Sequence, residues 1–151
     1  MGDLARAIQL AVNAHCDQTV KPVKEHKETP YILHPIRVML KMQSETERIV
    51  AILHDVVEDT DVTLGRLRAE GFPEEVVEAV DCLSKRQGEG YEAFIARAAG
   101  NPLARTVKIA DLEDNMDIRR LRAVAPKDEE RLRKYHKAWL DLTGRARGQH
   151  P

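Results

Sequence analysis

The stretch Ile49-Val50-Ala51-Ile52-Leu53 is the most apolar run of the chain, and it ends directly on His54-Asp55. Five consecutive apolar side chains need cover on every side, so this segment belongs at the centre of whatever the chain folds into. Periodicity alone leaves it open between a buried strand and a buried helix, because the run is short and rich in β-branched residues. The residues before it decide. Ser44-Glu45-Thr46-Glu47 has the form of a capping box, in which a serine hydroxyl and a glutamate three residues on satisfy each other's backbone N–H. A buried helix over about 45–57 is therefore expected. Its last turn then carries an imidazole and a carboxylate into a dry core, which is costly without compensation.

The rest of the chain also reads as helix. Leu4, Ile8, Ala11, Val12 and His15 follow a helical rhythm. Pro35 opens a short helix with Ile36, Val38, Met39 and Leu40. Gly71 looks like a C-terminal stop, and Pro73-Glu74-Glu75 like the first turn of a helix whose inner face is Val76, Val77, Val80 and Leu83. Gln87-Gly88-Glu89-Gly90 is a turn, followed by a helix from Tyr91 to Ala99. Gly100-Asn101-Pro102 reads as stop, N-cap and first residue of a helix over roughly 102–118. The last helix begins near Pro126 with acids in its first turn and carries Leu132, Tyr135, Trp139 and Leu142. Convincing strand alternation is absent. The expectation is one all-α helical bundle over residues 1–151, with a frayed tail from about 144.

Charge and composition narrow the function. The chain has 24 basic and 25 acidic residues among 151, a net charge of −1, which argues against a nucleic-acid polymer as partner. No run of about 18 apolar residues suggests a membrane span. Neither a signal peptide nor, with Cys16 and Cys82 alone, a disulfide framework is visible, so the cytoplasm is the expected compartment. Aromatic residues make up only 4%, which suits close-packed helices of Ala, Val, Leu and Ile.

Polar residues cluster where metal chemistry would need them. Glu58 lies four residues after His54, and Asp59 four after Asp55, so a continued helix brings all four to one rim. A polar quartet also ends many helices without further purpose. Two other segments shift the balance. Pro30-Tyr31-Ile32-Leu33-His34-Pro35 places a histidine just before a helix, and Val107-Lys108-Ile109-Ala110-Asp111 places an aspartate on a helix face, with Asn115 four residues on. Two histidines and two aspartates suit a first-row divalent ion with open positions for water. His15, on the apolar face of the first helix, reads as a packed or supporting histidine.

These pieces, together with Ala14-His15 and Gln18, Leu53-His54-Asp55-Val56-Val57-Glu58-Asp59-Thr60, and Leu83-Ser84-Lys85, run in one order over roughly residues 4–122. In that order they resemble the HD-domain metal-dependent phosphohydrolases, and within them the hydrolase domain of RelA/SpoT proteins and small alarmone hydrolases. The resemblance implies a central buried helix carrying the His-Asp pair. It implies His34, His54, Asp55 and Asp111 as ligands of one divalent ion, usually Mn²⁺, with Fe²⁺ or Co²⁺ as alternatives. Glu58 and Asp59 match the family's catalytic acids, and Asn115 a residue of the nucleotide wall. The implied reaction removes the 3′-pyrophosphate of guanosine tetra- or pentaphosphate (ppGpp or pppGpp), giving GDP or GTP. The alternatives are hydrolysis of another nucleotide or phosphomonoester, and a catalytically silent nucleotide or metal sensor.

Substrate contacts are expected from Lys21 and Lys24 in the polar loop 17–29, with Lys27 beside them, and from Lys85 and Tyr91. The sequence leaves a monomer and a homodimer equally open. Two features depart from the family pattern. No arginine lies between Gln18 and Pro30, and the segment after Asp111 carries Glu113, Asp114 and Asp117. Acids pointing into a polyanion pocket would repel it, unless Arg119, Arg120 and Arg122 offset them.

Overall fold

A computed structural model describes residues 2–19 and 29–145. The loop lysines Lys21, Lys24 and Lys27 and the expected tail beyond residue 145 lie outside the described residues. Helices dominate: α1 (Asp3–Ala14), α2 (Leu33–Leu40), α3 (Glu45–Leu53), α4 (Val56–Asp59), α5 (Leu64–Ala69), α6 (Glu74–Leu83), α7 (Tyr91–Ala99), α8 (Pro102–Asn115) and α9 (Pro126–Thr143). Among the described residues there is no β-strand, and a lone bridge joins Thr19 to Pro30. The all-α expectation holds.

The apolar run is a helix, and its start is as the sequence says. Ser44 Oγ accepts from Glu47 N at 3.1 Å, and Glu47 Oε2 accepts from Ser44 N at 3.0 Å. A cap of this kind stabilises a helix by about 1 kcal/mol. All five residues from Ile49 to Leu53 are buried, because α1, α2, α6 and α8 pack around α3. Each such side chain contributes about 1.5–3 kcal/mol through burial. A second apolar cluster, Phe94, Ile95, Leu112, Ala138 and Leu142, joins α7, α8 and α9.

Several boundaries follow local signals. Asn101 Oδ1 accepts from Ala104 N at 3.0 Å with Pro102 opening α8. Gly71, at φ +83°, follows α5 in the left-handed region that glycine reaches without strain. The Asp128 carboxylate accepts from Ala125 N at 3.0 Å and starts α9.

Three boundaries differ from expectation. The central helix does not run to residue 57: it stops at Leu53, and α4 restarts at Val56. The reason lies in His54, whose backbone N–H and ring Nδ1 both go to the Ala51 carbonyl, at 3.4 and 2.6 Å, tightening the turn. α2 starts at Leu33, so His34 lies in its first turn, and Pro35 sits where no backbone donor is missed. α8 ends at Asn115, short of residue 118. Asp117 leaves the helical conformation there, and its side chain caps a short 3-10 turn, Ile118–Arg120.

Candidate metal centre and active site

The break between α3 and α4 builds the site. It leaves His54 buried and Asp55, in the junction beside it, on the wall of a cleft. α2 brings His34 and α8 brings Asp111 to the same point. His34 Nε2 lies 2.9 Å from Asp111 Oδ1 and 3.7 Å from Asp55 Oδ2. His54 Nε2 lies 3.0 Å from Asp55 Oδ2 and 3.5 Å from Asp111 Oδ1. The four side chains grouped from the sequence therefore do converge, and three of them, His34, His54 and Asp111, can each offer one atom to a single ion.

The ring tautomers suit such an ion. His54 donates Nδ1–H to Ala51 O, and His34 donates Nδ1–H to Asp114 Oδ2 at 2.6 Å. Each ring thus turns Nε2 inward, the nitrogen on which a metal ion would take the place of a proton. His54 Nε2 is buried and, despite its closeness to Asp55, has no aligned hydrogen-bond partner. An orphaned imidazole nitrogen facing two carboxylates is what a cation would satisfy. The electrostatics agree. Burial disfavours the charged rings of His34 and His54, yet Asp111, Asp114 and Asp55 outweigh it and hold both above the ordinary imidazole value. Burial likewise disfavours the carboxylates of Asp55 and Asp111. The neighbouring His54, and for Asp111 first of all Lys108, hold them well below the usual range. The cluster attracts positive charge, so the residues present fit a divalent ion.

The surrounding side chains hold the ligands. Tyr31 donates its hydroxyl to Asp55 Oδ2. Lys108 Nζ reaches Asp111 Oδ2 at 2.7 Å, its ammonium lying 5.0 Å from the centre of the Phe94 ring. Asn115 Nδ2 donates to Asp111 Oδ1 at 2.8 Å and to its carbonyl at 3.1 Å. His15 is buried against the Tyr31 ring and bonded through Nδ1 to Gln18 Oε1 at 2.7 Å. It supports the wall rather than joining the metal cluster.

The cleft has a volume of about 490 Å³, and Glu58 and Asp59 line it with the metal cluster. The helix break changes their aim. Glu58 Oε1 accepts from Lys85 N at 2.6 Å, and Gln18 Nε2 holds the Asp59 carbonyl at 2.8 Å. Lys85 thus meets the site through its backbone, and its side chain is not on the cleft wall. Tyr91 is not on that wall either: it packs on Phe94 and Tyr135 and lines a groove between α7 and α9. Tyr135 of α9, read from sequence as an apolar-face residue, does line the cleft.

The three acids after Asp111 are each accounted for. Asp114 points inward but is neutralised: Arg37 forks onto it through Nε at 2.9 Å and Nη2 at 3.0 Å, and Arg120 reaches its carboxylate at 3.4 Å. Asp117 pairs with Arg119 at 2.8 Å, and Glu113 accepts from Trp139 Nε1 at 3.0 Å. Neither Arg37 nor the His34–Asp114 contact was singled out from sequence. The only signal was the three-residue step from Asp111, which turns Asp114 toward the same side of α8.

No family model matches the chain. A protein of Aquifex aeolicus named guanosine-3′,5′-bis(diphosphate) 3′-pyrophosphohydrolase is 34% identical over 127 residues, covering 76% of this chain and 17% of that protein. A Mycobacterium leprae protein named probable GTP pyrophosphokinase is 32% identical over 139 residues, covering 83% of this chain and 17% of its own length. The chain belongs to the SpoT/RelA family. It spans less than a fifth of the length of the curated SpoT/RelA relatives it matches. A solved structure of a metazoan SpoT ortholog, described as hydrolysing ppGpp, has a TM-score of 0.76 at 24% identity. It covers 94% of this chain and 85% of that one. That likeness establishes the all-α fold. Among the described residues, no helix is long and apolar enough to cross a membrane.

Proposed function

We propose that this protein is a metal-dependent phosphohydrolase that removes the 3′-pyrophosphate of ppGpp or pppGpp. The observation that carries the reading is the convergence of His34, His54, Asp55 and Asp111 in the cleft that Glu58 and Asp59 also line. The names of the SpoT/RelA relatives supply the substrate. The chain so read is a cytoplasmic domain acting on a small nucleotide.

The four ligands would hold one divalent ion; their mixed imidazole and carboxylate chemistry admits Mn²⁺, Fe²⁺ or Co²⁺, and the family resemblance favours Mn²⁺. When bound, such an ion supplies Lewis acidity and offsets charge developing on the phosphoryl oxygens. The chain's own groups do the rest. Water adds to the phosphorus nearest the ribose, and the bond from that phosphorus to the ribose 3′ oxygen breaks. A carboxylate of the Glu58/Asp59 pair takes the proton from water, and the ribose oxygen receives a proton as it leaves. The products are GDP or GTP and pyrophosphate. Glu58 is suited to a fixed role because the Lys85 N–H holds one of its oxygens and leaves the carboxylate in the cleft. Lys108 and Asn115 keep Asp111 in one orientation, which matters because phosphoryl transfer depends on positioning.

The test is incubation of purified protein with Mn²⁺ and a panel of nucleotides, with the released phosphate or pyrophosphate identified. Pyrophosphate from ppGpp is the expected result. Phosphate from simple nucleotides with none from ppGpp would replace this substrate with another. Nucleotide binding without any turnover would make the protein a sensor.

A further inference from the structure

Glu58 sits in a helix of one turn and lines the cleft. The bond from the Lys85 N–H, at 2.6 Å, is the one hydrogen bond its carboxylate makes among the described residues. Whatever fixes that N–H therefore fixes Glu58. Lys85 lies in the loop 84–90 between α6 and α7, which carries Gly88 and Gly90 and has little stiffness of its own. The stiffness comes from Arg97 of α7. Its Nη2 donates to Ser84 O at 2.8 Å and its Nη1 to Asp81 O at 2.7 Å. Its Nε and Nη2 also grip the Glu89 carboxylate, each at 2.9 Å. One guanidinium thus clamps both ends of the loop, with its stem against the Phe94 ring.

The Ser84 carbonyl and the Lys85 N–H belong to one peptide unit. In a planar trans peptide these two groups point in opposite directions. Arg97 holds the carbonyl, so the N–H on the far side is aimed at Glu58 Oε1. We propose that Arg97 is a positioning residue for Glu58, acting through the Ser84–Lys85 peptide. This rests on the phosphohydrolase reading, in which the Glu58/Asp59 pair handles a proton, and adds the group that sets the orientation of Glu58. Charge supports it. A guanidinium sits on the carbonyl end of the peptide and a carboxylate on the N–H end, and each polarises the peptide in the sense that strengthens the other bond. Geometry supports it too. The two-point grip on Glu89 fixes the plane of the guanidinium, which leaves Nη2 directed at Ser84 O. Arg97 is not on the cleft wall, so its effect on turnover runs through Glu58 rather than through the nucleotide.

The test is a kinetic double-mutant cycle on the full chain with Mn²⁺ and ppGpp, combining Arg97→Met with Glu58→Gln. Methionine keeps an apolar stem against Phe94 and removes the donors. Arg97→Met is expected to lose about 10–100-fold in kcat, with KM within about twofold of wild type and metal content unchanged by elemental analysis. In the Glu58→Gln background the same substitution should cost less than about twofold, because no charged carboxylate is left to position. Equal losses in the two backgrounds, or a kcat for Arg97→Met within about twofold of wild type, overturn the proposal. If Arg97→Met loses the helical circular-dichroism signal, Arg97→Lys, which keeps the charge but lacks the paired donors, is read against the same limits. Hydrogen exchange of the Lys85 amide, followed by NMR, needs no turnover. Arg97→Met should speed it at least about tenfold while the α3 amides stay as they are, and an unchanged Lys85 rate overturns the proposal. Absence of pyrophosphate release from ppGpp in wild type would sink the hydrolase reading, while the Lys85 rate still decides whether Arg97 holds the Glu58 contact.

Discussion

Asp114 accepts a hydrogen bond of 2.6 Å from Nδ1 of His34, which fixes that imidazole with Nε2 turned toward Asp111 and Asp55. Asp114 touches none of the other ligands, yet it sets the tautomer of one of them. Outer carboxylates of this kind typically alter metal affinity by about 10–100-fold. Asp114→Ala should therefore lower Mn²⁺ affinity by that order, measured by calorimetric titration, with the helical circular-dichroism signal retained. Unchanged affinity would mean that ring packing alone orients His34.

The ligand and acid roles separate by substitution. Asp55→Ala removes a carboxylate that faces both histidine rings and the Tyr31 hydroxyl, so metal content and turnover should fall together. Glu58→Gln keeps a carbonyl oxygen for the Lys85 N–H and removes the charge. It should keep its metal and lose about 10²–10⁴-fold in kcat, the usual contribution of a general base or acid. Elemental analysis beside a pyrophosphate-release assay reads both. Full metal content in Asp55→Ala would refute the ligand assignment.

What the sequence reveals here is what neighbours in sequence decide. The Ser44–Glu47 box, the Asn101 cap and the left-handed Gly71 depend on residues within four positions of each other, and each is in place. The convergence of His34, His54, Asp55 and Asp111 was legible through the family pattern. The break at His54–Asp55 was not, because a helix through residue 57 satisfies the same local pattern. What ends it is the second hydrogen bond to Ala51 O, made by the His54 ring. The sequence left the aim of Asp114 open for a similar reason, and Arg120, one of the arginines named to offset it, does pair with it. Its partners His34 and Arg37 lie 80 and 77 residues away, and only the packing of α2 on α8 brings them to it.

Glu89 gives a pH dependence with a definite sign. Its carboxylate pairs with Arg97, which also donates to the Asp81 and Ser84 carbonyls and so ties down the loop between α6 and α7. The Arg97 hydrogen bond holds the Glu89 carboxyl at about 2, against an ordinary value of 4.5. A depressed folded-state value stabilises the protein above the unfolded value and loses that contribution as pH falls. Glu89→Gln should therefore melt below wild type at pH 7, and the gap should close between pH 4.5 and pH 2. Thermal melts across that window test it; a gap independent of pH would make the Glu89 contribution one of packing alone.

Gly71 tests the backbone. At φ +83° it turns the chain from α5 into Phe72, and a Cβ there would meet only Arg6 Nη1, at 3.6 Å. Space is adequate, so the cost of Gly71→Ala is conformational, about 1–2 kcal/mol. That corresponds to a fall in Tm of roughly 2–8 °C for a chain of this size. A Tm within one degree of wild type would show that the turn relaxes to another conformation.

Metal removal should act on stability as well as on activity. Without an ion, the Asp55 and Asp111 carboxylates face each other across a buried centre, and His54 Nε2 is left without a partner. An ion that binds only the folded chain stabilises it by about 2.7 kcal/mol at a hundredfold excess over Kd. For a chain of this size that raises Tm by roughly 5–10 °C. Adding Mn²⁺ to chelator-treated protein should produce this shift, Mg²⁺ a smaller one because it favours oxygen ligands over imidazole, and Asp55→Ala should abolish it. A shift that persists in Asp55→Ala would place the stabilising ion elsewhere on the protein.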